Sequence, residues 1–482
     1  MIRFLVEERG FRTFALEAST PHADRLGAYI AKGVTRLDEQ VRRLLSWPWT
    51  TPEVLAMAEW IAEHNHQGAG SRVRFTGIDM QSPGESARIL SESLRSTTAS
   101  ATANELLKAV RALSKTPRPW SGTLCDLEAS EFAGSRVSVS VHVRSAEGAV
   151  PAIVLVALEG DDSVVDESSM AAELGEEEAG SWVTHRVEAE IPPACDTVFF
   201  MLEHRGPGTL WYDQVEITRD GERFVPDGLD DDFETTIEPF WNNRQSWYSL
   251  QLDSSVACKS DSSLKITRTA PVEGSTSEVL ALTAALRDSF ARELDSTEGI
   301  ETEASHLVTL IEQHARVYDK DATGYSRDDA MADNILRLLS RDAGQRVIVW
   351  AHDEHIRRRK RAFGGKLSEA LGPGYLAVGI TTSRGTYTAW ARGQGRGPHP
   401  LLPPPKGSFE QVVGAAVEGP CAVDLRSVDR TSSGAGWLFE NTSMRSLGAA
   451  ASDYQFRLRV PATSFDMVVH IPETAAAGQL VK

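Results

Sequence analysis

Apolar residues along this chain recur with two different periods. From Leu26 to Lys115 they fall at helical spacing, in "LDEQVRRLLSW", "TPEVLAMAEWIAEHN" and "ANELLKAVRALSK", which predicts amphipathic helices. Thr51-Pro52-Glu53 opens the second of these with a capping hydroxyl and a proline in the first turn. Two β-type runs break the helical pattern, "FRTFALEAS" (11–19) and "RVRFTGIDMQ" (72–81), and each reads apolar before ending on an acid.

After "KTPRPWSG" (115–122), where proline stops a helix, the period switches to two. "RVSVSVHVRS" (136–145) puts Val137, Val139, Val141 and Val143 on one face, and further short strands follow, separated by Gly, Pro and Asp turns. His142 and His185 are assigned to outward faces of these strands. Past Pro271 helical spacing returns in "EVLALTAALRDSFARELD" and "EASHLVTLIEQHARVYD". "DDAMADNILRLLS" then leads into the strand-like "VIVW", "YLAVGITT", a Gly turn, "TYTAWA", a proline-rich loop (398–405), "CAVDLRSV" and "FDMVVHIP". The pattern predicts an α/β fold, a mostly parallel sheet flanked by helices, interrupted by an inserted antiparallel β-sandwich of jelly-roll type. The boundaries read from it are 1–118, 119–271 and 272–482.

Ligands of open α/β sheets sit beyond the carboxyl ends of the strands, so three strand ends become comparable. Glu17 ends the first run, Asp79 the second, and His352 follows the third. In "VIVWAHDEHIRR" (347–358), His352 and His355 stand three apart with Asp353 and Glu354 between them. Two imidazoles and a carboxylate fit a three-ligand metal site, although the helical metal motif spaces its histidines four apart. They equally fit acid–base chemistry on water, with a carboxylate fixing the imidazole. Arg327, before the helix "DDAMADNILRLL", either reaches an oxyanion or is a solvated arginine at a helix start.

The chain has 482 residues and a formal net charge of -18, a balance that repels phosphate backbones and anionic lipid. Nucleic acid and membrane partners are not expected; a neutral or cationic small molecule is. "MIRFLVEERG" is too charged for a secretory segment and no apolar run reaches membrane-span length, which predicts a cytoplasmic protein. Cys125, Cys195, Cys258 and Cys421 form no C-x-x-C pair and are expected to be thiols.

Six segments in order, "RFLVEERGFRTFALEAS" (3–19), "WPWTTPEVLAMAEWIAEHN" (47–65), "RVRFTGIDMQ" (72–81), "SRDDAMADNILRLL" (326–339), "VIVWAHDEHI" (347–356) and "LGPGYLAVGITTSRGTYTAW" (371–390), resemble the erythromycin esterase family on both flanks of the sandwich. The resemblance implies a carboxylic ester hydrolase acting on a macrolide lactone or related ester, through water activated by histidine, without a covalent serine, a metal or a cofactor. It makes Glu17 the active-site glutamate, Arg327 the arginine of an Arg-Asp motif, and His352 and His355 the histidines of Trp-Ala-His-Asn-x-His, with Asp353 in place of asparagine. Asp79 is assigned to substrate binding. The family's opening Gly-Glu-x-x-His-Gly segment, which carries its general base, precedes the first matching segment, and the sequence begins after it. A late-assigned start is the favoured explanation, and on it the chain as written shows little esterase activity. The alternative is a catalytically degenerate, N-terminally truncated homologue acting as a binding protein. The sandwich segments "GPGTLWYDQVEI", "LDDDFE" and "SSLKI" resemble carbohydrate-binding jelly rolls in permuted order. This implies a possible carbohydrate contact, with Trp211, Trp241 and Trp247 as stacking or core residues, and a sandwich that shapes the mouth of the site.

Overall fold

The computed structural model describes residues 1–34, 36–44, 46–68, 72–115, 120–127, 129–159, 162–170, 180–193, 195, 197–206, 208–226, 229–237, 241–242, 248–268, 274–293, 303–319, 324–341, 344–391, 395–432, 434–452 and 455–480. Contacts divide the chain into two compact units. One joins Met1–Arg111 to Ser275–Lys482; the other is Ala112–Gly274.

In the first unit the elements that matter here are α1 (Ile2–Arg9), β1 (Thr13–Ser19), α2 (Thr20–Ala31) and β2 (Arg74–Asp79) from the N-terminal part. From the C-terminal part come α3 (Arg327–Ser340), β3 (Val347–Trp350), α4 (Phe363–Leu371), β4 (Val378–Ala391) and β5 (Met467–Thr474). β1 is the centre of a three-stranded parallel sheet, pairing Phe14 with Ile348 on one side and with Phe75 on the other. A strand covered on both faces has to be apolar at successive positions, and Phe14, Ala15 and Leu16 are all fully buried. Phe14 and Leu16 join a core with Leu26, Ile30 and Ile61, whereas Ala15 joins one with Met331, Ile335 and Phe363. Close packing of α2 on β2 depends on Gly27, where a Cβ would lie 2.2 Å from the Phe75 carbonyl oxygen. Thr51 caps its helix as the sequence predicts, its hydroxyl accepting from the Val54 amide at 3.3 Å.

The expected mostly parallel sheet is confined to these three strands. β4 and β5 belong to a second, mixed sheet, in which β4 runs parallel to β5 and antiparallel to Gly395–Pro400, and β5 runs antiparallel to Cys421–Asp424. Apolar periodicity reports which faces are covered, not the direction of the partner strand, so the sequence pattern carried no information on this point. "YLAVGITT" and "TYTAWA" are likewise not two strands around a Gly turn but one, β4. Gly385, at φ +113°, marks the place where β4 changes partner, from β5 to Gly395–Pro400. Part of the expected proline-rich loop is that partner: Pro398 and Pro400 lie in a strand at the sheet's edge, where a missing N–H is tolerated.

The second unit consists of a six-stranded and a five-stranded sheet, with antiparallel pairing throughout. One core joins them: Val137, Val139, Val141 and Val143 from the first sheet meet Cys125, Ile153, Leu155 and Phe200 from the second. His185, expected on an outward face, is buried. It shares the parity of Val183, Val187 and Ala189, so the two-residue period puts it inside. His142 faces Thr184 instead, at 2.8 Å. Trp211 donates to Asp253 at 2.9 Å and has Arg144 and Lys265 within 5.7 and 5.5 Å of its ring. The side chains of Trp241 and Trp247 lie outside the described residues.

No helix among the described residues is long and apolar enough to cross a membrane.

Candidate active site

The carboxyl ends of β1 and β2, the turn after β3 and the start of α3 bring Glu17, Asp79, His355 and Arg327 together, with Arg327 in contact with the other three. Glu17 is not the last residue of β1, which runs on to Ser19. Between Leu16 and Ser19 the pairing slips: Leu16 faces Gly77 and Ser19 faces Asp79, so β1 has one residue more than β2 over this stretch. Such a bulge re-aims a side chain that regular alternation would send into a core. Glu17 is accordingly 11% exposed. Its Oε2 accepts from the His352 amide at 2.9 Å, and its Oε1 accepts from Arg327 Nη2 at 2.7 Å.

Arg327 is the first residue of α3, and a capping box fixes where that helix begins. The Asp329 amide donates to the Ser326 hydroxyl at 3.2 Å, while the Ser326 amide donates to Asp329 Oδ2 at 2.7 Å. From this anchored turn the guanidinium reaches Asp79, giving Oδ2 two bonds, at 3.0 Å from Nε and 2.6 Å from Nη2. Burial works against the Arg327 charge, but Asp79 and Glu17 more than offset it and hold its pKa above the ordinary value. Asp79 moves the other way for a carboxylate in an ion pair: burial raises its pKa and outweighs Arg327. The two directions are compatible because desolvation falls unevenly, with Asp79 3% exposed against 28% for Arg327. Two short charge-assisted bonds to one oxygen are best satisfied with both groups ionised.

His355 lies in the single turn Asp353–Ile356 that follows β3. Its Nδ1 bonds Asp328 Oδ1 at 2.9 Å. Its Nε2 stands 3.4 Å from Arg327 Nη1 and 3.5 Å from Glu17 Oε1. Burial disfavours its cation, yet the bond to Asp328 and the charges of Glu17 and Asp328 prevail over burial and Arg327, so its pKa is raised. Asp328 was not singled out from sequence. Its signal was that it is the aspartate of the Arg-Asp motif, although a first helical turn is a place where acids are common for dipole reasons alone.

His352 is placed differently. It is exposed and caps the turn Asp353–Ile356, its Nδ1 accepting from the Glu354 amide at 3.2 Å. A ring whose Nδ1 accepts carries its proton on Nε2, and Nε2 meets the Leu447 carbonyl. Both nitrogens are therefore engaged by main-chain groups, and the ring lies 6.3 Å from that of His355. Asp353 accepts from the Ile380 amide at 3.2 Å, tying the turn to β4, and burial raises its pKa.

All five residues line one cavity of about 1770 Å³, whose walls include Ile2 and Leu5 of α1, Val347 of β3 and Ile380 of β4. Among the described residues no cluster of three or more His, Cys, Asp or Glu side chains has a metal-binding arrangement.

A family model, erythromycin esterase, matches residues 6–173 and 235–474. The chain belongs to the erythromycin esterase family. Solved structures with similar folds include a succinoglycan biosynthesis protein, at 16% identity over 99% of this chain and 83% of that one, with a TM-score of 0.53. A Bacillus cereus protein is similar at 16% identity, over 100% of this chain and 85% of that one, with a TM-score of 0.55. A mutant erythromycin esterase in its open conformation matches at 14% identity over 99% and 86%, with a TM-score of 0.48. At these identities the first two establish a shared fold. The esterase-family match spans both parts of the unit that carries the cavity and extends into the sandwich, whose strands begin at Trp120.

Proposed function

We propose that this chain hydrolyses carboxylic esters, a macrolide lactone or a related large ester, by direct attack of water. The observation that carries the proposal is the convergence of Glu17, Arg327 and His355 at a large cavity whose lining is more apolar than polar. Neutral His355 accepts a proton from water at Nε2 as the water oxygen bonds the acyl carbon. Arg327 Nη1, the arm of the guanidinium not bonded to a carboxylate, stands 3.4 Å from His355 Nε2; it yields that nitrogen to the water and turns its N–H to the oxyanion. The imidazolium then returns the proton to the departing alkoxide as the acyl–oxygen bond breaks, giving alcohol and acid. Glu17 and Asp79 hold Arg327 in place, and Glu17 also holds the backbone at His352.

The test is turnover of simple aryl esters and macrolactones by the full chain. His355→Asn is expected to lower kcat/KM by on the order of 10²-fold or more. Unchanged turnover in that variant refutes the proposal, as does failure of every ester class by a chain that carries the family's opening Gly-Glu-x-x-His-Gly segment. A second reading, a non-catalytic binding protein, draws on a specific feature: the raised His355 pKa keeps more of the ring protonated near neutrality, and both Glu17 oxygens are already engaged. Macrolactone binding without turnover even at high pH would favour it.

A further inference from the structure

We propose that Asp328 is the positioning residue of this site: it holds His355 by Nδ1, so that Nε2 is the nitrogen that exchanges protons in the cavity. This rests on His355 being the acid–base group.

Asp328 Oδ1 is fixed from two directions, accepting from His355 Nδ1 and from the Phe363 amide at the start of α4, each at 2.9 Å. Phe363 also lies parallel to the imidazole, at an interplanar angle of 8° with centroids 6.2 Å apart, which opposes rotation of the ring. A ring that donates from Nδ1 to a carboxylate presents its other nitrogen as the basic one. That nitrogen faces a donor and an acceptor at nearly equal distance, Arg327 Nη1 at 3.4 Å and Glu17 Oε1 at 3.5 Å. When neutral, Nε2 accepts from Arg327; when charged, it donates to Glu17. A proton therefore arrives and leaves without the ring turning. The charged and titratable groups around His355 are Asp328 and Arg327 from α3, Glu17 from β1, Asp79 behind Arg327 from β2, and the His352 ring; Lys366 on α4 acts on Asp328. His352 has no equivalent arrangement, since main-chain groups occupy both its nitrogens.

The direct measurement is the nitrogen NMR spectrum of the full chain with labelled histidine, His355 being assigned by loss of its signals in His355→Asn. Above its pKa the wild-type ring is expected to carry its proton on Nδ1. In Asp328→Asn the His355 pKa is expected to fall, because a carboxylate partner favours the imidazolium. If esters are turned over, kcat in Asp328→Asn falls on the order of 10²-fold or more with KM little changed, and Asp328→Glu recovers part of the loss. A wild-type neutral ring protonated on Nε2 overturns the proposal, and needs no variant that might misfold. So does an Asp328→Asn ring with unmoved titration. Absence of ester turnover by a chain that carries the family's opening segment would sink the hydrolase reading and leave the NMR result to decide the role of Asp328.

Discussion

Among single residues, His355 and Arg327 have the sharpest consequences. The His355 pKa is raised above 6.5, and the base that accepts a proton from water is the neutral ring. In the free enzyme kcat/KM is therefore expected to rise with pH and to level off only above that raised pKa, which a pH–rate profile with an aryl ester measures. Stability follows the opposite course. A pKa raised on folding contributes stability that is complete below pH 6.5 and is lost as pH climbs through the folded value. His355→Asn should thus flatten the alkaline fall of Tm over that window. Arg327→Lys keeps the charge but loses the fork that serves Asp79 and Glu17 together, and thermal unfolding is expected to show destabilisation by about 1–3 kcal/mol.

The geometry of the site is set at the ends of secondary-structure elements. α3 starts where the Ser326–Asp329 box closes, and that start fixes both Arg327 and Asp328. Ser326→Ala is expected to cost about 1 kcal/mol in thermal unfolding. Its loss of kcat is expected to exceed what the lost stability alone explains. α2 packs closely on β2 at Gly27, and Gly27→Ala drives a methyl into the Phe75 carbonyl. The backbone must shift, at an expected cost of about 1–3 kcal/mol, read from the denaturant midpoint. The bulge at Glu17 had no sequence signature. A single acid in an apolar strand marks a polar position, whereas the register slip that aims it depends on the partner strand.

For the whole molecule, the sandwich has a core of its own, drawn from residues between Cys125 and Ile266. A fragment spanning Ala112–Gly274 is expected to unfold cooperatively by itself, and calorimetry of the full chain should then resolve two transitions. A fragment that fails to fold, together with a single full-chain transition, would show that the two units share their stability.

The amino-acid order was enough to mark most helical and extended stretches, because burial imposes a period on side chains irrespective of what they are buried against, but not the strand through Pro398 and Pro400. It therefore gave β1, β2 and β3, the Thr51 cap and the four-valine face of the sandwich. Ordered segments around Glu17, Arg327, His352 and His355 were also enough to mark the family. The inward face of His185 was implied by its parity with Val183, Val187 and Ala189, but the direction of strand pairing and the continuity of β4 across Gly385 came from the tertiary structure. It alone separated the two histidines, one bound to main-chain groups and the other to Asp328, Arg327 and Glu17. The reason is physical: a side chain's residue type fixes its capacity to donate or accept, whereas the partner that uses this capacity comes from a strand or helix far away in the chain.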